Sequence, residues 1–293
     1  MPSDGHGVGV QAKSRVPRWR IIEPSRSQSI RVPTVLVGVP ILLVVGFLAL
    51  PLLSILLKAL AQAGLWKTLQ QPLVTQALWL SLFTSLSSLL LTVLCGTPVA
   101  YLLARQRLRS AVLLDTLIDL PMVLPPTVAG VALLMTFGRR GLLGPWLDTL
   151  GVQLSFTRAA VILAQSFVST PFYIRAAQAG FQSVDRELER VAYTLGHSVV
   201  RTFLRVTVPL AFPALLSGAV MAWARALGEF GATIMFAGNL RGRTQTMPLA
   251  IYLAMESDLT AALALSAILI LIPFTVLFWM RLLLRRGVFG AYA

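Results

Sequence analysis

Two stretches of this chain run without a charged residue for longer than a helix needs to cross a bilayer. Residues 32–57 are uncharged for 26 positions and residues 68–104 for 37. A spanning helix takes about 20 predominantly apolar residues, because the hydrocarbon core is about 30 Å thick and each residue rises about 1.5 Å. Further apolar runs follow at 120–138, 159–174, 210–236 and 259–280, and only the run at 210–236 holds charges, Arg225 and Glu229. The first run is followed by Ala59-Leu60-Ala61, a small-x-small pattern like a signal cleavage site. It is nevertheless about twice as long as a signal-peptide apolar region of about 7–15 residues, so a retained span is expected. The 37-residue run exceeds one span, and its first part is expected at the interface. The run at 120–138 is interrupted by Pro121, Pro125 and Pro126, and the short run at 159–174 ends at Arg175, which can snorkel to the surface.

These runs predict an all-α membrane protein with six transmembrane helices. Composition agrees: 56% of residues are hydrophobic and 12% charged, with a mean hydropathy of +0.78, too few polar groups to cover a soluble fold of 293 residues. Six spans put both termini on one side. On that side (the segment 1–31, the loops after the second and fourth runs, and the C-terminal end) fall 17 Lys and Arg, against seven on the other. The positive-inside bias then places both termini in the cytoplasm. The net charge of +14 is thus accounted for by membrane orientation and calls for no nucleic-acid partner. The expected division is a basic, disordered cytoplasmic tail at 1–31, a membrane domain at 32–286 and a C-terminal tail at 287–293. The chain is placed in the plasma (inner) membrane, with the lipid bilayer as its solvent.

Between the fourth and fifth runs lies the charged loop 183–209. Val184, Leu188, Val191, Ala192 and Leu195 fall at the spacings of one helical face, with charges on the others. Ser183 can cap the start of this helix and Asp185 suits its positive end. Gly196 suits a left-handed closing residue, Ser198 can cap a second short helix, and Pro209 should stop that helix at Val208. The spacing of Gly196 to Val206-Thr207-Val208-Pro209 resembles the EAA loop of ABC importer permeases, which docks into a groove of a cytoplasmic ATPase. The head departs from that pattern: Arg190-Val191-Ala192 stands where Glu-Ala-Ala is usual, with Glu189 one position earlier.

No Gly-x-x-x-x-Gly-Lys-Ser/Thr phosphate loop occurs in the chain, so any ATP hydrolysis belongs to another subunit. Nor is there a His-Glu-x-x-His, a Gly-x-Ser-x-Gly or a carboxylate pair placed in a span. His6 and His197 are the only histidines and Cys95 the only cysteine, so neither a metal cluster nor an intramolecular disulfide is expected.

In the fifth run, Arg225 and Glu229 stand four apart and can pair on one helical face, as ionisable groups at membrane depth require. Gly228 and Gly231 permit close helix approach or local unwinding. Such a pair can serve a pathway or only lock helices together. The three prolines of the third run free carbonyls, tolerable at this depth only beside protein or water. Thr127 and Thr233 can offer hydroxyls to a tetrahedral oxyanion. Residues 224–239, Ala-Arg-Ala-Leu-Gly-Glu-Phe-Gly-Ala-Thr-Ile-Met-Phe-Ala-Gly-Asn, resemble the fifth-span segment of molybdate permeases. Residues 120–130 and 242–252 are similar to other segments of that family.

The resemblance covers roughly residues 70–285 and implies the type I ABC importer permease architecture. It further implies a homodimer with the pathway at its two-fold interface, an external oxyanion-binding protein and two cytoplasmic ABC ATPase subunits. The chain itself would bind no cofactor, ATP and magnesium belonging to the ATPases, and would be no enzyme. The docking residues would be Glu189, Arg190, Val191, Ala192, Leu195, Gly196, Val206 and Pro209; the pathway residues Pro125, Pro126, Thr127, Arg225, Glu229 and Thr233. Molybdate is the expected cargo, with tungstate allowed. Sulfate and thiosulfate permeases are the alternative within the class, and an ion-coupled transporter with Arg225–Glu229 as relay the alternative outside it.

Overall fold

The computed structural model describes residues 34–62, 65–105 and 111–285. The tails expected at 1–31 and 287–293, with Arg107, Arg109 and Arg286, lie outside them. The chain divides into residues 1–49 and 50–293. Helix α1, Thr34–Leu60, begins in the first unit, and its stretch Gly38–Leu60 is apolar enough to cross a membrane.

Among the described residues of the larger unit every regular element is helical. A short α2 (Leu65–Leu69) precedes α3 (Pro72–Ala104), so the 37-residue run breaks where Pro72 can start a helix. Then come α4 (Ala111–Val123), α5 (Pro126–Phe137), the short α6 (Gly144–Thr149) and α7 (Arg158–Ser183). The charged loop supplies α8 (Arg186–Thr194) and α9 (Val199–Thr202), and a π turn (Phe203–Thr207) leads into α10 (Val208–Leu227). The chain closes with α11 (Gly231–Ala237), α12 (Met247–Ser257) and α13 (Leu259–Arg285).

The third run folds as the end of one helix and the whole of a second, broken at its prolines. α4 and α5 meet at 117°, because Pro125 and Pro126 remove two consecutive donors and Pro125 stays extended at ψ 133°. Pro121 is accommodated inside α4. The segment 239–258, between the fifth and sixth apolar runs, contains α12, whose Met247, Leu249, Ala250 and Ala254 are buried.

Among the described residues four helices are long and apolar enough to span a bilayer, or five if the bent pair counts as one. α7 is not among them despite its 26 residues. The polar side chains along its middle are buried against protein. The Ser166 hydroxyl donates to Ser88 at 3.0 Å, Thr170 meets Thr92 at 3.2 Å, and Tyr173 meets Thr97 at 2.7 Å, all on α3. Its opposite face packs Ala160, Val161, Ala164 and Val168 against Ala129 and Leu133 of α5 and Phe236 of α11. α7 is the inner helix of this unit, so the hydropathy that marks a lipid-facing span is not required of it.

α7 also runs nine residues past the expected end at Ile174, which corrects the reading of Arg175. This arginine does not snorkel at a helix end. It donates to both oxygens of Asp119 at 2.7 Å, to Asp115 at 2.6 Å and to the Asp115 carbonyl at 3.0 Å. Asp115 and Asp119 stand four apart on α4, a carboxylate pair that the sequence reading missed. The signal was there: two acids at helical spacing and one lone arginine, each beside apolar sequence. Removing the cation should leave two like charges on one face of α4. The cluster is a third to a half exposed, so Arg175→Met is expected to cost only about 1 kcal/mol, seen as a lower unfolding midpoint in detergent. Adding Asp115→Asn and Asp119→Asn should recover most of it.

Candidate functional site

The charged loop folds as two short helices. Asp185, not Ser183, caps α8: its Oδ1 accepts the Glu187 N–H at 2.9 Å, while Ser183 ends α7 and donates to the Gly180 carbonyl. At the other end Gly196 has φ +81°. Its N–H bonds the Tyr193 carbonyl at 3.0 Å, and the His197 N–H reaches back to Ala192 at 3.1 Å. This double closure is the Schellman arrangement, and it needs a residue that tolerates positive φ. Ser198 caps α9 by accepting the Arg201 N–H at 3.4 Å.

Pro209 does not end the second helix. The helix continues from Val199 to Leu227, 29 residues. The π turn absorbs the proline: the Val208 N–H bonds Phe203, five residues back. Widening the turn just before Pro209 gives its ring room and removes the need for its missing donor. The loop is therefore continuous with the fifth apolar segment rather than standing apart from it.

The expected apolar face also splits. Val184 and Ala192 are buried, but Leu188, Val191 and Leu195 are exposed, and Val199, Val200 and Leu204 of the second helix add to that surface. Arg190 is exposed and pairs with Glu187. Val206 is half-buried and Pro209 exposed. Glu189 turns inward, where Arg105 Nη2 donates to it at 2.6 Å and the Thr207 hydroxyl at 2.8 Å.

The second group of residues sits where two helix breaks meet. α10 ends at Leu227, capped by Gly228, and α11 starts at Gly231, and this second break lies against the Pro125–Pro126 break. A Cβ on Gly231 would lie 2.7 Å from Pro126 Cβ, and one on Gly130 2.7 Å from the Ala232 carbonyl. Arg225 and Glu229 pair at 2.7 Å, as their spacing predicted. The other Glu229 oxygen accepts the Ala232 N–H at 2.7 Å and so caps α11. Both oxygens of this buried carboxylate are therefore engaged, which favours a locking role over a proton relay. Pro125, Pro126 and Thr127 are exposed, and Thr127 shares a helical face with exposed Val131 and Met135. Thr233 is fully buried, with no partner for its hydroxyl among the described residues. The two threonines do not share a surface.

Residues 96–289 match the family described as the binding-protein-dependent transport system inner membrane component. The chain belongs to that family. Over 236 residues it is 43% identical to the molybdenum transport system permease protein ModB of Mycobacterium tuberculosis, covering 80% of this chain and 89% of that one. It is 37% identical over 207 residues to a probable sulfate transport system permease protein of Nephroselmis olivacea, covering 70% and 73%. In structure it is similar to a bacterial ABC transporter that imports the acidic polysaccharide alginate. That match has a TM-score of 0.68 and 16% identity, and covers 86% of this chain and 94% of that one. This inner membrane component is thus a multi-pass membrane protein with the fold of ABC importer permeases, a transport subunit. Arg105, one of the 17 basic residues counted on the side of the termini, is buried beside Glu189, a placement that the count could not show.

Proposed function

We propose that this chain is the membrane-spanning subunit of an ATP-driven importer of molybdate, acting as a homodimer. An external binding protein delivers the anion, and two separate cytoplasmic ATPase subunits, which carry ATP and magnesium, seat on the 183–209 loops. In this reading α1, α3, the α4–α5 pair, α7, α10–α11 and α13 are the six spans. The 17 to seven division of basic residues puts the segments 1–31 and 287–293 and the loop on the ATPase side.

The observation that carries the reading is the loop itself. An exposed apolar strip, Leu188, Val191, Leu195, Val199, Val200 and Leu204, is built on two capped helices that are held from behind. Exposed apolar surface of this kind marks a protein contact. The second of these helices continues for 29 residues to the break beside α5, roughly 40 Å. Closure of the ATPases displaces the loops, and the continuous helix carries that displacement to the paired breaks. There the exposed face of Thr127, Val131 and Met135 lines the path, and Arg225–Glu229 keeps α10 and α11 in register. The permease supplies geometry more than affinity, since tight binding in a pore slows release.

Molybdate is favoured over sulfate by the 43% identity to a molybdenum permease against 37% to a sulfate one. Co-purification of the ATPase tests the machine. Leu195→Glu and Val191→Glu place a charge in the strip and should reduce bound ATPase by about tenfold or more, with the permease still folded. Uptake of labelled molybdate into ATP-loaded vesicles, with excess unlabelled sulfate as competitor, tests the cargo. If the wild type binds no ATPase and uptake follows an ion gradient, the ion-coupled reading takes its place.

A further inference from the structure

We infer that Arg105 and Glu189 form an internal coupling joint, in which Glu189 fastens the docking loop to two spans and makes no contact with the ATPase. This rests on the importer reading above. The joint is built from residues far apart in the chain. Arg105 lies at the end of α3, and its pair with Glu189 on α8 leaves only 4% and 6% of their side chains exposed. The same Glu189 oxygen accepts the Thr207 hydroxyl from the π turn that heads the α10 helix, at 2.8 Å. The Tyr101 hydroxyl of α3 approaches its other oxygen at 3.5 Å. Arg105 also donates Nη1 to the Val184 carbonyl, at the junction of α7 and α8. Behind them Tyr101 packs edge-on to Phe181 of α7 and Phe203 of the π turn, with ring centroids 5.6 and 4.9 Å apart.

One carboxylate thus joins three elements, and its guanidinium partner ties in a fourth. A buried ion pair is weak evidence for stability, because apolar residues of similar volume often replace it without loss. What it adds is direction. Charge-assisted bonds fix the angle between α8 and its neighbours, whereas an apolar contact would let the loop pivot on its root. A push on the exposed strip of α8 must then move α3 and the head of α10 together. With both oxygens turned inward, Glu189 has none to offer a partner on the outer face. That contact is left to the apolar strip and to Arg190.

The test uses the full complex of permease, ATPase and binding protein in nanodiscs and proteoliposomes. Glu189→Gln, Arg105→Lys and the double apolar variant Arg105→Met/Glu189→Met are compared with wild type. Bound ATPase, basal hydrolysis, hydrolysis stimulated by the loaded binding protein, and uptake are measured. The expected result is wild-type ATPase content and basal hydrolysis in all three. Stimulation and uptake should fall by about tenfold or more in the double variant, with smaller falls in the singles. The double variant removes both charges at once, so it folds without a stranded ion. Loss of bound ATPase in Glu189→Gln but not in Arg105→Lys would make Glu189 an ATPase contact and overturn the inference. Full stimulation and uptake in a folded double variant would make the pair merely structural, and also overturn it. A wild-type permease that holds no ATPase overturns the importer reading itself, and the joint with it.

Discussion

Glu229→Ala is expected to lower the stability of the detergent-solubilised protein by about 3 kcal/mol and to abolish uptake. The carboxylate is 1% exposed and makes two bonds, one to Arg225 and one to the Ala232 N–H. Its removal strands a guanidinium and uncaps α11 in a place where neither water nor lipid replaces both partners. The figure sits at the lower end of what breaking a buried pair costs, because Arg225 keeps 29% of its side chain exposed and is partly solvated already. Glu229→Gln retains an acceptor for Ala232 and should lose roughly half as much. The unfolding midpoint of purified protein, followed by loss of monodisperse material after heating, measures both. A Glu229→Ala variant as stable as wild type would show that the pair does not hold the α10–α11 break.

Gly231→Val should be nearly as damaging for a different reason, and Gly228→Ala, three residues away, should be tolerated. The Cβ of a residue at 231 would lie 2.7 Å from Pro126 Cβ and 3.2 Å from the Thr127 backbone nitrogen. Proline and backbone cannot swing aside as a flexible side chain can, so α5 and α11 must separate. Overpacking of this kind costs about 1–3 kcal/mol, and the valine belongs at the upper end. At Gly228 the one atom within 4 Å among the described residues is the Ala224 carbonyl oxygen, at 3.7 Å, an ordinary contact. The separated helices should also fail to transmit the loop's movement, so uptake by Gly231→Val is expected to fall further than its stability alone explains. Equal midpoints for Gly231→Val and Gly228→Ala would contradict the packing of the two breaks.

Sequence could not tell these two glycines apart. Both stand within two residues of Glu229, and the difference is a proline about a hundred residues earlier in the chain. The same division runs through the molecule. What depends on neighbours within one or two helical turns was legible: the apolar runs, the turn at Gly196, the Ser198 cap and the pairing of Arg225 with Glu229. Each is set by spacing that a helix converts directly into contact. The two short helices of the charged loop were legible too, because the closure at Gly196 and the cap at Ser198 are local.

Tertiary structure decided the rest. Pro209 looked like a stop because proline disfavours a helical residue before it, but a π turn, braced by Thr207 on the distant Glu189, carries the helix through it. Glu189 itself faces inward rather than outward because Arg105, 84 residues before it, lies there. Arg175 looked like a snorkelling end because its partners, Asp115 and Asp119, come from another helix. Prolines at 125 and 126 foretold a break but not its 117° angle, nor that α11 would pack against it. The sequence by itself determined the class of the protein and the turn at Gly196, since burial in lipid and helix capping act over a few residues. Which charges meet, and which face of the loop is left free, followed only from packing between helices that the chain brings together from far apart.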